Sequence, residues 1–226
     1  MTEGTTMFPD WDGSTAALRT LQSELAAQVV VRDGFAKPLR TVAGFDVSFE
    51  DGGAITRAAA VLMDADSGEV IASEVARLPT RMPCIPGLLS FRELPALLAA
   101  LDLLPHAPDL AFIDGQGIAH PRRLGIAAHF GVATNLPSIG VAREILIGES
   151  HTNLHEMRGA FTPLRDRREQ IGWVLRSKPG CHPLIISPGH RVAMASAPEL
   201  VMRYVTTYRL PETTRLAHQL ATGQGG

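Results

Sequence analysis

TVAGFDVSFE, residues 41–50, sets Phe45, Val47 and Phe49 against Gly44, Asp46 and Ser48. That two-residue alternation is the pattern of a β-strand, with Asp46 on the face opposite the aromatic rings. Asp51, Gly52 and Gly53 turn the chain into a second strand over 55–63, and Asp66, Ser67 and Gly68 turn it into a third over 70–77. Three strands joined by tight turns predict an antiparallel meander. DLAFIDG at 109–115 reads differently, as an unbroken apolar run bounded by Asp109 and Asp114, the pattern of a central strand covered on both faces. A helix from about 121 or 125 to 134 and a short strand over 137–142 follow, so a meander comes first and βα crossovers later.

Outward from this centre, Ser14 can cap a helix running to about Arg32 through Leu18, Leu21, Leu25 and Val29. GLLSFRELPALLAALDLL, 87–104, reads as a helix capped by Ser90, or one that starts near 92–94 so that Pro95 stays in its first turn. Strands are expected at 171–176 and 183–187, a helix over 198–207 opened by Ser196 and Pro198, and a last helix from Pro211 to about Leu220. Residues 14–220 carry no repeat or linker and are expected to form one domain, with 1–13 and 221–226 as flexible tails.

The 226 residues are 45% hydrophobic and 19% charged, enough apolar material for a core without disulfides. A net charge of −2, from 21 Lys and Arg against 23 Asp and Glu, provides no global field for nucleic acid, so any such binding must use local patches. The two cysteines, Cys84 and Cys181, lack CxxC spacing, and the start MTEGTTMFPDWDG lacks the regions of a signal peptide. A soluble, cytoplasmic, monomeric protein without membrane contact is expected.

Three acids stand at element boundaries: Asp46 on the first strand, Glu93 near a helix start and Asp114 before GQG. Carboxylates on separate elements around one sheet are hard oxygen ligands suited to Mg2+ or Mn2+, although acids at such positions are also ordinary caps. The glycines of DGQG permit close backbone approach and can leave amides free for a phosphate or base. His120, Arg122 and Arg123 in the following HPRR segment can meet phosphate, or can be a solvated helix start. His129, between Ala128 and Phe130, reads as a core histidine, and Trp173 as a core residue. Residues 157–178 carry Arg158, Arg165, Arg167, Arg168, Arg176 and Lys178 against Asp166 and Glu169, a local balance of +4 that suits nucleic-acid phosphates or a mixed surface loop. RMPCIPG at 81–87 is a stiff turn able to push an apolar side chain into a base stack. No GxGxxG, GxxxxGK or GxSxG motif occurs, and His182, His190 and Cys181 do not form a zinc pattern.

GFDVSF, MPCIPGLLSFRE, FIDGQGIAHPRRLG, AAHF, PSIGVA and SPGHRV, in this order between about Ser14 and Leu220, closely resemble the endonuclease V family of deoxyinosine 3′ endonucleases. The resemblance implies an α/β, ribonuclease H-like fold with a central mixed β-sheet flanked by helices. It implies a metal-dependent DNA repair endonuclease that hydrolyses the second phosphodiester bond 3′ to deoxyinosine, leaving 3′-hydroxyl and 5′-phosphate ends. Asp46, Glu93, Asp114 and His120 match the catalytic positions. Asp46 and Asp114 match the metal ligands, with Glu93 and His218 as further candidates and Mg2+ as the expected ion, Mn2+ substituting. Pro83, Cys84, Ile85 and Pro86 match the wedge; Gly87, Leu88, Leu89, Gly115, Gln116 and Gly117 the lesion pocket; and Arg122, Arg123 and Arg143 the substrate contacts. Cys84 stands where the family often has tyrosine, Gln116 where it often has histidine and Arg143 where lysine is frequent. Deaminated DNA is the implied partner, with inosine-containing RNA, or binding with weak cleavage, as alternatives.

Overall fold

The computed structural model describes residues 7–224. Its centre is one eight-stranded sheet in the order β3-β2-β1-β4-β5-β8-β7-β6. The meander is β1 (Thr41–Glu50), β2 (Ile55–Asp64) and β3 (Val70–Pro79). The crossovers place β4 (Leu110–Asp114) beside β1, and β5 (Ser138–Ala142) beside β4, both in parallel. Antiparallel β8 (Leu184–His190), β7 (Glu169–Leu175) and β6 (Phe161–Asp166) complete the sheet. This is the mixed sheet flanked by helices that the resemblance implies.

The helices are α1 (Thr15–Ala26), α2 (Leu89–Leu103), α3 (Ile126–Thr134), α4 (Ala197–Met202) and α5 (Glu212–Thr222). They cover both faces of the sheet. Leu110 and Phe112 of β4 pack with Leu200, Val201 and Ala217 on the α4 and α5 side. Ala111 and Ile113 pack with Leu94, Leu97, Ala127 and Phe130 on the α2 and α3 side. The unbroken apolar pattern of β4 follows from this double burial. No helix among the described residues is long and apolar enough to cross a membrane.

Several boundaries differ from the sequence expectation. α1 stops at Ala26 because the next residues bond to the end of β8: the Val30 amide donates to His190 Nδ1 and the Val30 carbonyl accepts from the Arg191 amide. α2 starts at Leu89, so Pro95 lies inside it and Ser90 is no cap; the Ser90 hydroxyl meets His129 Nδ1 at 2.9 Å. Burial of Phe91, Leu94, Leu97 and Ala100 holds the helix despite the amide hydrogen bond that Pro95 cannot make. β6 was not expected from sequence. It is an edge strand that accommodates Pro163 and carries a register shift at Leu164/Arg165. α4 is shorter than expected, and Ser196 Oγ donates to Asp33 Oδ2 instead of capping it.

Of the expected N-terminal tail, residues 1–6 lie outside the described residues. Phe8 and Trp11 pack against Leu18, Met82, Leu88 and Phe91. His129, fully buried, donates from Nε2 to the Met7 carbonyl at 2.8 Å. Burial pushes its pKa down to about 4, as suits a neutral core imidazole with both nitrogens bonded.

Candidate active site

The parallel register of β1 and β4 pairs Gly44 with Phe112 and Phe45 with Ile113. One residue further along both strands come Asp46 and Asp114. Both point to the α5 side, because side chains alternate and Phe45 and Ile113 face α2 and α3. α5 approaches closely there because Gly44 has no side chain; a Cβ at that position would collide with the Thr213 carbonyl oxygen. His218, one turn further along α5, thereby reaches Asp46, donating from Nδ1 to Oδ2 at 2.8 Å. Ligand atoms of Asp46, Asp114 and His218 all lie within 4.8 Å of one another. Two carboxylates and an imidazole at this spacing are a donor set that fits a divalent cation.

Electrostatics supports that reading. Burial first, then the neighbouring Asp114 charge, push the Asp46 pKa up to about 6, against the opposing bonds from His218 and the Val47 amide. Glu93 is lifted to about 7 by burial and then by the charge of Asp46 and Asp114, so it stands near the pair, although it is outside the ligand-atom cluster. Anions crowded in a buried place are stabilised by a cation, and cation binding at lower pH must release protons. Arg143 supplies part of that positive charge, donating from Nη2 to Asp114 Oδ2 at 2.7 Å.

Beside the acids opens a cleft of about 600 Å3. Glu93, Asp114 and Arg143 stand on its polar side, and Leu89, Ile145 and Leu146 present exposed apolar surface. Cys84 and Pro86 of the two-proline turn line its rim. A second cleft, of about 580 Å3 between Val30, Asn135 and His190, contains none of the three acids. Sequence reading missed Ile145 and Leu146. Their signal was an apolar run of three, Ile145-Leu146-Ile147, between Arg143-Glu144 and Gly148-Glu149, on neither helix nor strand period.

The HPRR arginines are turned inward. Arg122 Nη2 donates to the Gly87 carbonyl at 3.0 Å and its Nε to Gln22 Oε1, while Gln22 Nε2 donates to the same Gly87 carbonyl at 2.8 Å. Gly87 has φ +82, and its side-chain-free face receives the Arg122 guanidinium. The base of the wedge is thus tied to α1 and to the His120 turn, with Ile85 packed below and Pro83 and Cys84 exposed above. Arg123 donates to the His120 carbonyl, to Asp166 Oδ2 and twice to Glu169 Oε2. Arg123 spends most of its donors on these walls, and Arg122 spends its Nε and Nη2 there.

Other expected residues are placed as follows. The Gly115 amide donates to the Val141 carbonyl and the Gly117 amide to Ser187 Oγ, so neither is free for a phosphate. The glycines serve close packing instead, since a Cβ on Gly117 would strike the Pro188 carbonyl. Gln116 Nε2 holds the Glu144 carbonyl at 2.9 Å beside the cleft. Leu88 is buried under the wedge, with only Leu89 facing the opening. His120 lines the cleft and is pushed down to about 4 by burial and by Arg122 and Arg123. Its Nδ1 accepts from the Arg122 amide, so the neutral ring carries its proton on Nε2, and a hydrogen bond to the Gly87 backbone opposes the downward shift. Asp109 has a structural task, accepting from the Arg40 and Thr41 amides.

Residues 23–219 match the family model for Endonuclease V. Endonuclease V of Azotobacter vinelandii is 62% identical over 95% of this chain and 96% of its own. The crystal structure of Endonuclease V from Streptomyces avermitilis superposes with a TM-score of 0.89 at 38% identity, covering 97% of each chain. Ciona intestinalis Endonuclease V, crystallised with a 23-mer DNA containing an inosine followed by a ribo-adenosine, shares the fold with a TM-score of 0.81 at 22% identity, over 95% of this chain and 98% of that one.

Proposed function

The chain belongs to the endonuclease V family, and from that membership we propose that it nicks DNA at the second phosphodiester bond 3′ to deoxyinosine, leaving 3′-hydroxyl and 5′-phosphate ends. The observation that carries this reading is the juxtaposition of Asp46, Asp114 and His218 beside an apolar cleft. Asp46 and Asp114 would hold the divalent cation, Mg2+ by the hardness of their oxygens, with Mn2+ able to replace it. When bound, such an ion neutralises charge developing on the phosphate and makes water nucleophilic near neutral pH.

The chain's own residues do the rest. His218 orients Asp46, and Arg143 holds Asp114 while presenting a planar cation to the phosphate side of the cleft. The Cys84-bearing turn enters the base stack, and a base displaced from the duplex is buried against Leu89, Ile145 and Leu146. Cysteine in place of the family's frequent tyrosine removes an aromatic stacking surface, so the grip on the displaced base is weaker while the acids remain intact. The base is sensed and left attached to its sugar.

The test is a cleavage assay on matched duplexes with one inosine or none, in Mg2+, in Mn2+ and in chelator, with mapping of the cut and its ends. The DNA held by the Ciona protein carries a ribo-adenosine after its inosine, so matched RNA is included. Metal-dependent cutting at the second 3′ bond of the inosine duplex is expected. Cleavage in chelator, or equal cutting of both duplexes, would overturn the reading, and preferential cutting of RNA would move the substrate to RNA.

A further inference from the structure

We propose that the tip of the β6–β7 hairpin is a second, sequence-independent contact for the duplex, gripping phosphates beside the lesion cleft through Arg165, Arg167 and Arg168. The inference rests on the nuclease reading and extends it to a surface outside the cleft.

The hairpin tip is Asp166-Arg167-Arg168-Glu169, with Asp166 paired to Glu169 in the ladder. Alone, this sequence would be electrically balanced. The structure tips that balance, because Arg123 adds a third positive charge to the tip and engages both acids: its Nη2 lies 2.8 Å from Asp166 Oδ2 and 2.8 Å from Glu169 Oε2. Arg165, Arg167 and Arg168 are exposed, and none has a carboxylate within 4.0 Å among the described residues. The one side-chain bond at the tip is local, from Arg165 Nη1 to the Arg168 carbonyl at 3.4 Å. Glu149 lies across from Arg165 in a backbone bridge, but its exposed carboxylate is directed at His151, 3.8 Å away. Three free guanidinium groups are therefore presented together by a chain whose net charge is −2.

Two connections set this cation cluster beside the cleft. Arg123 joins the hairpin acids to the His120 carbonyl, and His120 lines the cleft. On the other side, the Glu149 amide donates to the Arg165 carbonyl at 2.8 Å and the Arg165 amide to the Glu149 carbonyl at 2.9 Å. Glu149 ends the segment whose Arg143, Ile145 and Leu146 form the cleft wall. Arg122 is occupied at the base of the wedge by Gly87 and Gln22 and Arg123 by the hairpin acids, so the exposed arginines on this side of the cleft are those of the hairpin that Arg123 supports. Exposed guanidinium groups on a rigid turn suit phosphate oxygens and carry no base preference.

The test compares wild type with the R165Q/R167Q/R168Q triple variant and the milder R168Q. Binding is measured by fluorescence anisotropy on an inosine duplex and its undamaged match, between about 50 and 200 mM salt. Each phosphate that is no longer neutralised should flatten the plot of log affinity against log salt by about 0.9, so the triple variant should show a slope shallower by roughly 2–3 units. Its affinity should fall by the same factor for both duplexes, with R168Q showing about a third of the slope change. Unchanged slope in the folded triple variant would overturn the proposal. So would a fall in affinity confined to the inosine duplex, which would mean damage to the cleft. Wild-type cleavage of the same inosine duplex separates the two readings: absent cleavage sinks the nuclease assignment, whereas normal cleavage with unchanged slope sinks only the hairpin contact.

Discussion

The acidic centre and the rim of the cleft are built by different kinds of bond. Asp46 and Asp114 are neighbours because two parallel strands are hydrogen-bonded in one register, so their separation is fixed by backbone. The wedge and the hairpin are held by side chains reaching across the sequence: Gln22 and Arg122 on Gly87, and Arg123 on Asp166 and Glu169. Chemistry is therefore placed where a side-chain substitution elsewhere moves it little, while recognition is placed where a single truncation can loosen it.

The largest effect should come from the backbone-placed centre. Asp46→Asn and Asp114→Asn should each reduce turnover at saturating substrate by on the order of 10³, with inosine-duplex binding in chelator largely kept. A KM change with turnover preserved would break the comparison, because it would place these acids in recognition.

Gly44→Ala is the sharper test of how backbone positions the centre. The added Cβ must push α5 away at Thr213, which should cost about 1–3 kcal/mol of stability as overpacking. It should also weaken Mn2+ binding by drawing His218 from Asp46. Chemical denaturation and metal titration check both, and a shift in stability with intact metal affinity would detach His218 from the site.

The smallest effect is expected at the rim. Gln22→Ala removes its two hydrogen bonds at the base of the wedge and should raise KM for the inosine duplex roughly tenfold, as expected when a charged group is deprived of a partner. Turnover should change much less. Steady-state kinetics on matched duplexes decides it, and equal falls in turnover and turnover over KM would mean that the rim acts on the chemistry.

Much of the centre was legible in the sequence. Alternation in 41–50 put Asp46 opposite Phe45, and the apolar run before Asp114 marked a central strand. The meander, β4, α3 and α5 followed from local pattern, which needs only near neighbours. The register that makes Asp46 and Asp114 adjacent is a pairing between segments about 70 residues apart, and the resemblance, not spacing, supplied that link. The rim was less legible for the same reason. Arg122 and Arg123 read locally as charges at a helix start, yet their partners Gln22 and Asp166 are 100 and 43 residues away. The Gly115 and Gly117 amides read as available because nothing local reveals Val141 or Ser187 beside them. Likewise β6 was hidden by Pro163, which only its edge position tolerates.

One divalent cation shared by Asp46 and Asp114 is tested most directly by a crystal structure with Mn2+, located by its anomalous scattering. A peak at coordination distance, roughly 2.0–2.6 Å, from an oxygen of each carboxylate is the expected result. Carboxylates facing separate environments, with no shared peak in a protein that still cuts the inosine duplex in Mn2+, would contradict it.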